Sequence, residues 1–290
     1  MSESSRPDES LRIRVTTPQQ ARAPFRGVVC DLRANFKQAS VLAWTLFRRD
    51  VSAEHRQSLL GYFWLLLPPV ASTLVWVFLT SQRVITIDSA GVPYPLFALT
   101  GTALWTAFNS GVMGTLTALS GARMLLPKVN FPHEALVYSA LLKSGLDMLI
   151  AAILVGVAVL LLGYKLRPEF ALFCMALLIN AIVGAALGLV ALPISALYPD
   201  ISKGIQFVLR FGFFLTPVIY AVPASGAART LMLANPVTPI ITTGRAWLTG
   251  SSEAMPAAFA VVSISSLGIL LAGLVLFKIA LPFLTERLGS

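Results

Sequence analysis

Charged residues divide the chain into six long uncharged windows at 57–82, 89–122, 148–164, 170–199, 211–228 and 254–277, each of 17 to 34 residues. A helix needs roughly 20 apolar residues to cross about 30 Å of hydrocarbon. The pattern therefore predicts six transmembrane helices: Leu59–Thr80, Pro95–Leu119, Leu141–Gly163, Ala171–Tyr198, Gly204–Val222 and Pro256–Phe283. The third is short unless Lys143 and Asp147 enter its first turns, and the fifth carries Arg210. Ahead of the first window the periodicity changes. Phe36, Ala39, Leu42, Ala43, Leu46 and Phe47 share one helical face, while Lys37, Gln38, Thr45, Arg48 and Arg49 share the other. This is the pattern of a helix lying in a membrane interface from Phe36 to Asp50. Residues 1–25 are polar and read as a disordered tail without the apolar stretch of a secretory signal. The expected division is a tail over 1–25, an interface-helix region over 26–58 and a six-span domain over 59–290, with no internal repeat.

Composition agrees with this reading. Of 290 residues, 56% are hydrophobic and only 12% charged, about half the charged share of a soluble domain. The net charge of +9 could suggest nucleic acid, so the positions of the 22 Lys and Arg matter more than their number. Seventeen fall on the side that holds both termini and five on the other. The positive-inside rule then places both termini in the cytoplasm and assigns the basic balance to topology and anionic lipids, with no nucleic-acid partner. The two cysteines, Cys30 and Cys174, make no disulfide framework.

Four features could carry chemistry. Arg48, Arg49 and Arg56 bring guanidinium groups to the inner boundary, where they could pair with lipid phosphate; topology alone also accounts for them. In the fifth window Phe207, Phe211 and Phe214 recur along one stripe beside Gln206 and Arg210. Such rings can stack on sugar faces, and ordinary helix packing is the simpler alternative for each. Between the second and third windows, residues 121–140 hold Lys128, Phe131, Pro132 and His133, a proline-bracketed Phe that suits a partner's groove or a loop flat on the membrane. Pro68, Pro69, Pro193 and Pro217 remove backbone donors at membrane depth, so the helices lean on neighbours, and a homodimer is expected. No GxxxxGK[ST] motif occurs, and no metal-ligand or acid–base cluster is spaced for catalysis. The chain is expected to hold no cofactor and to be no enzyme.

The run Gln57–Trp64 leading to Pro68, Val92–Phe97 with Gly101 and Trp105, Lys128–Pro132, Tyr198-Pro199-Asp200, Thr216–Tyr220 and Asn235-Pro236 together resemble the permease subunit of polysaccharide-exporting ABC transporters. The likeness covers nearly everything from about Phe36 onward. It implies an all-α polytopic protein, dimeric, in the bacterial inner membrane, bound to two cytoplasmic subunits that hold ATP and Mg. It also implies that Phe36–Asp50 lies at the cytoplasmic interface, that Lys128–His133 is the coupling element, and that 221–255 forms short periplasmic gate helices. A lipid-linked glycan would pass along Tyr62, Trp64, Trp105, Phe207, Arg210, Phe211, Phe214 and Tyr220. The sequence departs from the usual pattern at Glu54-His55 and at His133. Export of O-antigen-like chains is the leading expectation. Capsule, a small molecule or drug as cargo, or a membrane enzyme of glycan assembly, are the alternatives.

Overall fold

The computed structural model describes residues 25–56, 63–84, 87, 89, 91–122 and 131–289. The expected tail, Tyr62 and Lys128 lie outside them, as do the side chains of Arg56 and Trp64. Among the described residues there is no strand. The helices are α1 (Phe25–Arg56), α2 (Phe63–Ser81), α3 (Tyr94–Leu116), α4 (Glu134–Leu161), α5 (Phe170–Leu197), α6 (Pro199–Leu215), α7 (Ala227–Ala234), α8 (Thr238–Thr249) and α9 (Pro256–Gly289).

Helix α3 is the centre of the bundle, and its packing on α5 is the most extensive contact in the fold. Small residues explain how close the two come. A Cβ on Gly111 would meet the Ala181 carbonyl, and one on Gly184 would meet the Phe108 carbonyl. This is the small-residue approach by which apolar helices associate where lipid tails compete for the same surfaces. Hydrogen bonds cross the same seam. Asn180 Nδ2 donates to the Leu104 carbonyl (2.7 Å), Thr115 Oγ1 to the Ala185 carbonyl (3.2 Å) and Ser195 Oγ to the Leu116 carbonyl (3.1 Å). Leu104, Phe108, Phe173, Leu177 and Val155 fill the core around it. Helix α9 covers the other side of α5, where Leu189 packs beneath Gly273.

Among the described residues three helices are long and apolar enough to cross a membrane, at 134–161, 170–197 and 256–287, and Leu66–Ser81 is a shorter apolar helix. The six predicted spans are thus met only partly. The third does begin early enough to include Lys143 and Asp147, and the fourth and sixth match closely. The second, α3, has the length, but Thr100, Thr102, Thr106, Asn109 and Ser110 make it too polar to read as a lipid-facing span. The fifth is corrected. Helix α6 starts at Pro199 and stops at Leu215, seven residues before Val222, because Pro217 has no N–H and forces Thr216 into an extended conformation (φ −114°, ψ 143°).

The interface helix is also longer than its predicted Phe36–Asp50 core, running from Phe25 to Arg56. Ala39 and Ala43 are buried against Ala135 of α4, flanked by Leu42, Leu46 and Tyr138. Phe36, on the same predicted face, stays exposed and meets the Tyr138 ring edge-on at 5.7 Å. Only the alanine stripe is small enough to admit α4.

The close α3–α5 seam makes a direct prediction. Gly184→Ala pushes a methyl group into the backbone of α3 and should cost about 1–3 kcal/mol of stability as overpacking. Gly268→Ala on α9, where a Cβ meets nothing within 4 Å, should leave the melting temperature of the detergent-purified protein unchanged.

Candidate functional site

At the end of the bundle away from α1 the chain folds back on itself through α7 and α8, and one side chain organises that return. Arg245 of α8 is completely buried. Its Nη2 donates to the carbonyls of Pro217 (2.9 Å) and Val218 (2.7 Å), just past the end of α6. Its guanidinium carbon lies 3.6 Å over the centre of the Phe97 ring of α3, a stacked cation–π geometry that a planar guanidinium makes well. Gly101, one turn on, gives the room: a Cβ there would meet both Val218 O and the Arg245 guanidinium. Burial pushes the Arg245 pKa down to about 9, while Glu253 and Tyr94 pull it back up. It is a cation at neutral pH.

A second tie joins the same segments. Asn235 Nδ2 donates to Thr216 Oγ1 (2.8 Å), and Asn235 Oδ1 accepts from the Val237 N–H (3.0 Å). This last is an Asx turn that starts α8 just after Pro236. Thr238 Oγ1 donates to the Met232 carbonyl (2.6 Å), closing α7 onto α8. Three of the sequence pieces noted above, around Gly101, Thr216–Tyr220 and Asn235-Pro236, therefore meet in one knot. Sequence reasoning missed Arg245 and counted it only as a topological charge. The available signal was a lone arginine inside the apolar run Pro239–Leu248, where a cation needs a partner.

The aromatic row of α6 lies apart from this knot. Phe207, Phe211 and Phe214 are 64%, 51% and 52% exposed, and α6 has no buried residue. Phe207 and Phe211 touch at 4.6 Å between centroids. Arg210 is exposed on the adjoining stripe. Tyr220 is half-buried and its hydroxyl donates to the Phe214 carbonyl, closing the helix end. Trp105 sits inside the protomer, against Phe108 (5.3 Å) and Phe213 (6.1 Å), and its ring supports α6 from beneath Gly212.

At the α1 end, Phe131 is half-buried, with its ring stacked on His133 at 4.6 Å and packed among Leu119, Leu136 and their neighbours. Pro132 lies between them, half-buried. The next residue, Glu134, is buried and pairs with Lys278 of α9 at 3.2 Å. Arg48 and Arg49 are exposed on α1, and Arg49 is engaged by Asp50 (2.8 Å).

Among the described residues the chain is a bundle of helices, several of them apolar enough for a multi-pass membrane protein, that turns back at one end through the largely exposed α7 and the buried α8. The chain belongs to the ABC-2 type transporter family, whose pattern matches residues 41–248, from α1 to α8. It is 30% identical over 206 residues to the O-antigen export system permease protein RfbA of Myxococcus xanthus, covering 70% of this chain and 78% of that one. With the protein of the same name from Klebsiella pneumoniae it shares 21% identity over 177 residues, 60% of this chain and 66% of that one.

Removing the buried arginine should show in the protein's stability. Arg245→Met leaves the Pro217 and Val218 carbonyls without a donor and should cost roughly 3 kcal/mol. Arg245→Lys should not restore it, because an ammonium cannot both fork to two carbonyls and stack on Phe97. Thermal unfolding of the purified variants measures both.

Proposed function

We propose that this chain is the membrane-spanning subunit of an ATP-driven exporter that carries a lipid-linked, O-antigen-like polysaccharide across the bacterial inner membrane. The observation that carries this is the 30% identity to an O-antigen permease over most of both chains. In this reading two copies meet along α6, each chain crosses the membrane six times, and both termini are cytoplasmic in keeping with the 17-to-5 division of Lys and Arg. Two partner subunits bind ATP and Mg and do the hydrolysis.

The elements have separate tasks. The exposed phenylalanines of α6 give passing sugars stacking faces that need no fixed hydrogen-bond pattern, which suits a polymer of repeating units. Tyr62, Trp64 and Arg210 extend that lining, while Trp105 and Tyr220 brace it. Arg48, Arg49 and Arg56 meet the phosphates of the lipid carrier. The 121–140 segment, through Lys128, Phe131, Pro132 and His133, docks on the ATPase. Its C-terminal end is tied to α9 by Glu134 and Lys278, so a push on the loop reaches a membrane helix directly. The α7–α8 return forms the periplasmic gate.

Two outcomes follow when the chain is expressed with a partner ATPase subunit in its source strain after deletion of the chromosomal copy. Phe207→Ala with Phe211→Ala should lower surface polysaccharide at least ~10-fold, about 1.4 kcal/mol in the barrier to passage, with the ATPase subunit still co-purifying. Phe131→Ala should leave assembly intact and separate ATP hydrolysis from export. Surface glycan at wild-type levels in a strain lacking this chain would overturn the reading.

A further inference from the structure

At the end of the bundle away from α1, a cavity of about 500 Å³ opens between the starts of α3 and α5 and the ends of α4 and α8, and no role assigned above uses it. That volume is within the range of small-molecule pockets. Leu96 and Val159 are buried in its wall, Phe170 and Trp247 are half-buried, and Lys165, Arg167 and Glu169 stand exposed at its rim. Gly163 and Gly250 turn the chain out of α4 and α8 with φ of +80° and +74°, and a Cβ on either would meet only open space.

Depth follows from the sequence on both sides of the loop. Residues 148–164 and 170–199 carry no charge, so two apolar windows end here from opposite directions. Lys165, Arg167 and Glu169 are therefore held at headgroup level. Below them Leu149, Ile153, Val157 and Leu160 of α4 are exposed at i, i+4, i+8 and i+11, a lipid-facing stripe that ends next to Val159 of the cavity wall. Trp247 and Tyr164 also line the cavity, and both are residue types common at this depth.

The three charges are available. Among the described residues no side chain pairs with Lys165, Arg167 or Glu169. Arg229 and Arg245, on the same side of the membrane in the sequence reading, are instead taken up by the carbonyls of Pro223, Pro217 and Val218. Topology does not account for the free pair either, because the positive-inside bias puts cations on the opposite side and only five of 22 Lys and Arg fall here. Two cations against one carboxylate leave an excess of one positive charge. A zwitterionic headgroup leaves that excess in place, and a monoanionic one cancels it. Phosphate oxygens suit both cations as acceptors of charge-assisted hydrogen bonds. A passing glycan is the poorer occupant, since among the described residues none of α6 lines the cavity. We propose that this cavity holds a resident monoanionic phospholipid of the phosphatidylglycerol type, in the leaflet opposite α1. Its phosphate sits on Lys165 and Arg167, its glycerol hydroxyls donate to Glu169, and an acyl chain runs along the α4 stripe. The site is separate from the α6 row and does not depend on the export reading.

The test uses the purified full chain, stripped of lipid in detergent and incubated with phosphatidylglycerol, phosphatidylethanolamine or phosphatidylcholine of identical acyl chains. Bound lipid is extracted after gel filtration and counted by mass spectrometry. The expected result is retention of about one phosphatidylglycerol per chain, with ~10-fold preference over the two zwitterionic lipids. Lys165→Gln with Arg167→Gln should abolish that preference at unchanged elution volume, since both side chains are exposed and the fold does not rest on them. Lys37→Gln with Lys203→Gln removes the same charge from exposed positions elsewhere and should keep it. Glycerophosphoglycerol and inorganic phosphate, each in excess, should fail to displace the lipid; displacement by either makes this a site for free phosphate and overturns the lipid assignment. Equal retention of the three lipids by the wild type, a preference for phosphatidylethanolamine, or an undiminished preference in the Lys165 and Arg167 double variant overturns the proposal. So does an equal loss in the Lys37 and Lys203 double variant, which would trace the preference to surface charge in general.

Discussion

The near-contact of the α3 and α5 backbones is what the rest of this molecule hangs on. In lipid there is no bulk water to satisfy a stray polar group, and apolar side chains gain little by leaving hydrocarbon for one another. Two helices stay together there by close fit and by hydrogen bonds made inside. Here both come from the same seam, through Gly111 and Gly184 on one hand and Asn180, Thr115 and Ser195 on the other. The hydroxyl-rich character of α3 makes sense in that light. Thr100 and Thr102 return their protons to the carbonyls of Leu96 and Ala98 on their own helix, and the longer-range donors brace it to α5. The helix least suited to face lipid is the one placed in the middle.

With that strut fixed, the far end of the bundle can hold irregular backbone. Pro217 ends α6 early and exposes carbonyls that have no helical partner. The buried Arg245 meets that need with two donors while its planar face rests on Phe97. A broken helix and a buried cation, each unfavourable alone, stabilise one another. The Asn235–Thr216 bond makes the same joint from the other side. Helices α7 and α8 are therefore held as a unit against α3, which is how a segment too short to span a membrane still has a defined place.

Much of this was legible in the residues. The predicted spans located α2, α3, α5, the start of α9 and the end of α4 to within a few positions, because the length a helix needs in hydrocarbon is a hard constraint, while α4 begins at Glu134, ahead of the predicted Leu141. The stripe Ala39–Ala43 announced that α1 would lie on something. Legibility failed where a single backbone event outweighed hydropathy. The window over 211–228 is apolar enough to look continuous, yet Pro217 divides it. It failed again where one side chain's partners are distant in sequence: Arg245 finds Phe97, Pro217 and Val218, and nothing local foretells that set. Phe131 looked free between two prolines, and only the fold brings Leu119 and Leu136 up to it. The aromatic row of α6 is plain in the spacing of its phenylalanines, whereas its exposure in the protomer is a property of the fold alone.

One junction sets a limit on how this protein can move. Helices α5 and α6 are separated by the single residue Tyr198, a link that spans only about 3.8 Å of chain. There is no slack in it. Any displacement of α6 along its axis must also drag α5, and α5 is packed between α3 and α9. The joint acts as a pinned hinge: α6 can turn about its end but cannot slide away from α5, so a load on one helix is carried into the other.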